Sequence, residues 1–267
     1  MSIAIITGSG GLVGAESVRF LSKKFDKIIG IDNNSRKYFF GKLASVKTNI
    51  SLLEKEIKNY NHKHVDIRNN KKIEKIFKNY KKNIKFVLHC AAQPSHDWAA
   101  REPFTDFSIN ALGTLNILEN IRKYCPNAKL AHISTNKVYG DRPNLLPLKE
   151  QKRRYEISKN HKYFKKGIDE SMSIDDSKHS LFGASKLASD IYCQEYWKYF
   201  NLKVGVFRGC CLTGPLHQGA ELHGFLSYLI KAAKERKKYY IFGYKGKQVR
   251  DNIHSEDVVK ALWEFYK

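Results

Sequence analysis

The stretch Thr7–Gly14, TGSGGLVG, decides how this chain folds. It follows the apolar run SIAIIT and precedes residues with helical apolar spacing from about Leu12 to Lys23. Gly8, Gly11 and Gly14 form a GxxGxxG pattern between a predicted strand and a predicted helix. Such a turn needs residues without a Cβ, a backbone that a phosphate can approach, and a helix N-terminus whose free N–H groups favour an anion. Asp32 stands 18 residues past Gly14, at the end of the next apolar run, KIIGID. A carboxylate there binds the hydroxyls of an adenosine ribose. Together these features predict a dinucleotide site. Asp32 favours NAD, because a carboxylate repels a 2′-phosphate, whereas Arg36 nearby argues the other way. Asp66, after the third run, reads equally as an adenine contact or as a helix N-cap.

Working outward, strand-like and helix-like segments alternate. HKHVDI (His62–Ile67) is a third strand, followed by a helix near Lys71–Tyr80. IKFVLHCAA is a fourth strand and KLAHIS a fifth, with helical spacing between them over TDFSINALGTLNILENIRKY. A long amphipathic helix, HSLFGASKLASDIYCQEYWKYF, leads to a sixth strand, LKVGVFR. The strands are continuous Ile/Val-rich runs rather than alternating ones, as expected when helices cover both sheet faces. The expected class is α/β, a doubly wound parallel sheet of Rossmann type with right-handed crossovers. Two stretches break the rhythm: Asp141–Lys178, long and polar, and everything after Gly209. Both leave the carboxyl ends of late strands, where such folds bind ligands.

Composition excludes several classes. The 267 residues are enough to bury most of an unfolded chain's surface, which rules out a disulfide mini-protein or a disordered tail. The five cysteines are an odd count with no CxxC pair, so neither a disulfide framework nor a zinc ribbon is suggested, and no metal site is expected. No apolar run approaches the length of a membrane helix, and no basic leader precedes the first strand; the expected location is the cytoplasm. The formal charge of +22 is carried by lysines scattered over every segment. Cations and aromatics cluster in Arg153–Lys166, without any nucleic-acid motif, so nucleic acid is not an expected partner.

A second constellation is STNKVYG (Ser134–Gly140) at the end of strand five, with Lys186 in GASK. A hydroxyl at a strand end and a lysine one turn into a helix can flank a reacting carbon, the lysine lowering the pKa of a neighbouring acid–base group. The glycine pattern, Asp32, HCAAQ (His89–Gln93), STNKVYG, the GASK helix and QVRDNIHSED (Gln248–Asp257) occur in that order. Over essentially the whole chain they resemble the extended short-chain dehydrogenase/reductases that modify nucleotide sugars. STNKVYGD, FRGCCLTGP, AELHGF and GKQVRDNIHSED look most like the CDP-paratose (CDP-tyvelose) 2-epimerases within that group.

The resemblance implies hydride removal from C2 of a CDP-hexose and its return to the other face through a 2-keto intermediate. It assigns NAD to Gly8, Gly11, Leu12, Val13, Gly14, Asp32, Asn33, Arg36, Asp66, Ile67, Ala91, Ala92, Gln93 and Lys186. Thr135 would orient the C2 oxygen, with Arg208, His223 and Arg250 on the substrate side; the alternative for Arg250 is a buried pair with Asp251. It implies a 1–208 NAD-binding domain, with a substrate-side insertion at about 141–178, and an incomplete substrate-binding region at 209–267. It also implies a homodimer paired through Thr105–Tyr124 and Ser180–Phe200. Dehydration is disfavoured, since dehydratases carry an acidic pair where this chain has Asn136 and Lys137. Two departures stand out. Phe182 occupies the position of the family's catalytic tyrosine, four residues before the lysine, with His179, Ser180, Cys210, Cys211 or a tyrosine of Asp141–Lys178 as substitutes. The chain also stops at Lys267, where family members continue, which leaves either a shortened homologue or a truncated product. Other expectations compatible with these residues are a 4-epimerase, a reductase or a catalytically degenerate NAD-binding scaffold.

Overall fold

A computed structural model describes residues 1–217 and 223–267. Its strands are β1 (Ile3–Thr7), β2 (Lys27–Ile31), β3 (Tyr60–Lys63), β4 (Ile84–His89), β5 (Lys129–Thr135), β6 (Leu148–Glu150), β7 (Tyr155–Ile157), β8 (Lys203–Gly209), β9 (Cys211–Thr213) and β10 (Asn252–His254). The helices before the fifth strand are α1 (Leu12–Leu21), α2 (Arg36–Phe40), α3 (Lys47–Glu56), α4 (Asn70–Tyr80), α5 (His96–Arg101), α6 (Pro103–Phe107) and α7 (Gly113–Tyr124). Four more follow it: α8 (Tyr163–Lys166), α9 (Ser180–Phe200), α10 (Phe225–Lys234) and α11 (Ser255–Tyr266).

Six strands form one sheet in the order β3-β2-β1-β4-β5-β8, every pair parallel. The chain runs outward from β1 to β3, returns to β4 on the other side and continues to β8. The order reverses beside β1, and the crevice at the carboxyl ends of β1 and β4 is the switch point of a doubly wound sheet.

Burial explains why β1 sits centrally: all five of its residues are inaccessible to solvent. Ile3 and Ile5 face one core with Ile73 and Phe77 of α4, Ile117 and Ile121 of α7, and Cys193 of α9. Ala4 and Ile6 face the other core with Val13 and Val18 of α1, Leu53 of α3, and Val258 and Leu262 of α11. This second core includes residues on both sides of the expected division at 208/209. α11 belongs to the helical layer of the dinucleotide fold, because its apolar face is buried on α1.

The third strand is also displaced from its expected place. Its ladder runs from Tyr60 to Lys63, pairing Ile28 with Tyr60 and Ile31 with Lys63, so Val65–Ile67 lie beyond the strand end. Between α6 and α7 the expected continuous helix contains a π turn, Ser108–Leu112. The insertion forms a hairpin, β6–β7, and the short α8, packed around Tyr163 and Met172. No helix among the described residues is long and apolar enough to cross a membrane.

Candidate active site

Above the switch point lies a cleft of about 890 Å³, within the range of small-molecule sites. Its floor is the glycine turn. Gly8 has φ +68°, and a Cβ there would meet the Ala91 backbone nitrogen at 2.8 Å. A Cβ at Gly14 would sit 2.1 Å from the Gly8 carbonyl oxygen. Helix α1 therefore begins closer to β1 than any other residue would permit. Gly11 precedes that helix without a side-chain cap, and no acidic residue occupies its first turn. Its N–H groups and dipole are left for an anion.

Asp32 leaves the end of β2 beside this turn and lines the cleft. Its carboxylate accepts from the N–H of Gly10 at 3.0 Å and of Asn34 at 2.7 Å. Burial raises its pKa. The two oxygens retain lone pairs for further donors such as ribose hydroxyls. Asp66 and Ile67 line the same end. Asn69, not Asp66, caps α4 by accepting from Lys72 N–H, whereas Asp66 binds the Arg68 guanidinium at 2.7 Å.

At the other end, Thr135 closes β5 and its Oγ1 accepts from the Lys137 N–H at 3.2 Å. Lys186, in the second turn of α9, is only 4% exposed, and its Nζ donates to the Ile133 carbonyl at 2.8 Å. Burial pushes its pKa down to about 8. Phe182, one helical turn before Lys186, lines the cleft on the same face. The end lined by Asp32, Asp66 and Ile67 and the end lined by Thr135 and Lys186 thus share one cavity, joined by a helix N-terminus. These features fit a dinucleotide: a turn that excludes Cβ atoms, an uncapped helix start, and a carboxylate 18 residues on.

Gly8, Gly11, Leu12, Val13, Gly14, Asp32, Asn33, Arg36, Asp66, Ile67, Ala91, Ala92, Thr135, Lys186, His223 and Arg250 all line the cleft. Gln93 and Arg208 do not. Gln93 is fully buried and ties Ser95 to Asp106 and Asn110. Arg208 lies behind the strand ends, forked onto Asp190 and donating to Tyr139 Oη at 2.9 Å. His223 stands beside α2, its Nδ1 3.2 Å from the Arg36 guanidinium and its ring against Phe40. Arg250 is exposed and donates to Gln248 at 2.9 Å, so the alternative pair with Asp251 is not formed. In AELHGF, Ala220 to Leu222 lie outside the described residues.

The substitutes for the missing tyrosine separate clearly. Both ring nitrogens of His179 face backbone carbonyls, of Lys137 and Ile174. Tyr163 is buried in the insertion's own core. Cys210 and Cys211 line the cleft on the β8–β9 side, where Asn136 donates to Cys210 Sγ at 3.2 Å. His96, which the sequence did not single out, lines the cleft with its ring edge-on to Phe182. The only signal for it was position: it follows the carboxyl end of β4 at the switch point.

Comparison with known proteins agrees with this architecture. The model of the NAD dependent epimerase/dehydratase family matches residues 4–267. CDP-paratose 2-epimerase of Salmonella typhi is 34% identical over 264 residues, 97% of this chain and 73% of that protein. The dTDP-glucose 4,6-dehydratase of Salmonella typhimurium is 30% identical over 275 residues, 97% of this chain and 66% of that one. Among solved structures, UDP-N-acetylglucosamine 4-epimerase from Methanobrevibacter ruminantium, in complex with UDP-N-acetylmuramic acid, superposes with a TM-score of 0.77 at 20% identity. That match covers 99% of this chain and 68% of the other, and shows the fold. This chain thus spans about two thirds to three quarters of the length of these proteins. With the glycine turn, Asp32 and the Thr135–Lys186 pair in one cleft, the chain belongs to the NAD dependent epimerase/dehydratase family of extended short-chain nucleotide-sugar enzymes, whose cofactor is NAD.

Proposed function

We propose that this chain inverts C2 of a CDP-hexose, as in the conversion of CDP-paratose to CDP-tyvelose. Bound NAD supplies the acceptor and donor of the hydride. The backbone N–H groups at Leu12 and Val13 hold its pyrophosphate, Asp32 its adenosine ribose, and Asp66 and Ile67 its adenine. Lys186 holds the nicotinamide ribose, its ammonium fixed by the Ile133 carbonyl. Thr135 donates its hydroxyl to the C2 oxygen, and Arg250 pairs with the substrate diphosphate, a role suited to a permanent, planar cation.

The observation that carries this reading is the meeting of Thr135 and Lys186 in one cleft with Asn136 and Lys137. Eliminating water requires an acid for the departing hydroxyl and a base for the carbon-bound proton. Neither residue after Thr135 offers a carboxyl group, whereas epimerisation needs none. The choice of CDP and of C2 rests on the likeness to the Salmonella typhi protein.

NMR of CDP-paratose or CDP-glucose incubated with the purified protein and NAD tests this directly. Growth of a new C2 proton signal from the epimer is the expected result. Tight NAD binding without turnover would instead favour a non-catalytic scaffold, the reading that Phe182 motivates.

We also propose that the chain is a homodimer paired through α6, α7 and α9. These helices and the π turn between α6 and α7 expose Phe104, at 92%, with Phe107, Leu112, Tyr192, Trp197 and Tyr199, large apolar side chains of the kind that mark interfaces when they gather on one face. Sedimentation equilibrium at micromolar concentration should return twice the chain mass. A monomer there would remove this interface.

A further inference from the structure

We propose that His96 is the acid–base residue of this site, taking and returning the proton of the reacting sugar hydroxyl in place of the phenol that Phe182 lacks. The inference rests on the epimerase reading above. It begins with what α9 presents to the cleft: Phe182 and Lys186 face it together, so the lysine stands where a tyrosine at 182 would have used it. Phenylalanine can neither accept nor donate a proton.

His96 supplies the missing group from the neighbouring element. It opens α5 just after Ser95, whose hydroxyl caps that helix by accepting from the Trp98 N–H. Its ring centroid lies 4.8 Å from that of Phe182, at 65°. A second contact fixes the ring: Nδ1 is 2.9 Å from Ser180 Oγ. Ser180 holds φ +64° at the first position of α9, a left-handed conformation that strains a non-glycine residue. Its hydroxyl also accepts from the Gly183 N–H at 3.3 Å. Ser180 is thus a positioning residue, bridging the start of α9 to the imidazole.

When Nδ1–H donates to Ser180, Nε2 carries the lone pair on a ring that lines the cleft. The surroundings favour that neutral form. Although His96 is exposed, desolvation where its ring meets the cleft wall and the charge of Lys137 lower its pKa, against an opposing contribution from Asp97 on its own helix. His223, across the cleft, is pushed down to about 3 and stays uncharged. In the proton step the hydroxyl O–H bond breaks, its proton bonds to Nε2, and the electron pair stays on oxygen to form the carbonyl as the hydride leaves carbon for NAD. The reverse step returns the proton from the imidazolium, leaving His96 unchanged. Cys210 and Cys211 serve this step less well, because Cys210 Sγ already accepts from Asn136.

The test uses the NAD-loaded protein and CDP-paratose. His96→Gln should lower kcat by about 10²–10⁴-fold, the range for a lost acid–base group, with KM little changed. The double variant His96→Gln/Phe182→Tyr should regain at least tenfold, with the acidic limb of its pH profile displaced from that of the wild type. A merely structural histidine would not be rescued by a phenol, so absence of rescue overturns the assignment. Unchanged kcat and pH profile in His96→Gln overturn it equally. A readout independent of turnover is nitrogen-15 NMR of the histidine rings in the loaded wild type. Nε2 of His96 should be unprotonated at pH 7, and Ser180→Ala should shift the tautomer balance; an Nε2–H form at pH 7 overturns the proposal. If the wild type turns over no nucleotide sugar, the epimerase reading falls and His96 falls with it. If the wild type turns over and only the His96 results fail, the epimerase reading stands.

Discussion

Asp190→Ala should destabilise the protein by about 3–5 kcal/mol, the range for removing one partner of a buried ion pair. Asp190 is fully buried on α9. One of its oxygens receives the Arg208 Nε at 3.0 Å and the Ser134 hydroxyl at 2.6 Å. The other receives the Arg208 Nη2 at 2.9 Å and the Gln194 amide at 2.7 Å. Truncation leaves a guanidinium of 16% side-chain exposure with Tyr139 as its remaining partner. The penalty comes from that stranded charge rather than from the pair's own net worth. Asp190→Leu/Arg208→Met, which removes both charges, should therefore recover most of the loss.

The pH dependence has a definite sign. Burial raises the Asp190 pKa, but Arg208, Ser134 and Gln194 outweigh it and leave it below the ordinary carboxylate value. A carboxyl whose folded pKa is depressed stabilises above its unfolded pKa and loses that stabilisation as pH falls through the folded one. The gap between wild type and Asp190→Ala should be full at pH 7 and narrow below about pH 4. Urea unfolding at several pH values measures it. A loss under about 1 kcal/mol at pH 7 would show that the cluster is not holding β5, β8 and α9 together.

Legibility in the sequence followed the range of the interaction. The glycine turn was readable because its requirements are local: Gly14 must approach Gly8, six residues away, and Asp32 closes the next strand. The start of β3 was not readable from its own residues. Tyr60 pairs there because its phenol lies 3.0 Å from Ser9 Oγ and crosses Gly30, where a Cβ would meet that oxygen at 2.4 Å. Such a contact spans the sheet. α11 was legible as a helix, since periodicity says which face is apolar; it does not say that α1 covers that face. Gln93 and Arg208 sat in suggestive motifs, but their partners Asp106 and Asp190 arrive from other elements. His96 was the mirror case, an unremarked residue whose meaning depends on Phe182 being brought against it.

Lys186→Met should separate stability from activity, improving one while removing the other. Turnover is expected to fall by about 10²–10⁴-fold, since in the proposed function Lys186 is the ammonium that holds the nicotinamide ribose. Stability should move the opposite way in protein freed of nucleotide. Burial lowers the Lys186 pKa to about 8 from an ordinary value near 10.5, so its charged form is penalised in the folded state. At about 1.4 kcal/mol per pKa unit the penalty reaches about 3 kcal/mol at most. A methionine of similar length relieves it, less whatever the hydrogen bond to Ile133 contributes. Below about pH 8 both folded and unfolded chains hold the proton and the penalty is complete. Between about pH 8 and 10.5 the folded lysine has released its proton while the unfolded one keeps it, so wild-type stability rises relative to the variant. Urea unfolding should find Lys186→Met the more stable protein at pH 7 by about 1–3 kcal/mol, with the advantage shrinking towards pH 10. A variant less stable than wild type at pH 7 would mean that the ammonium is bound more favourably than its burial implies. The site would then carry no strain for the cofactor to relieve.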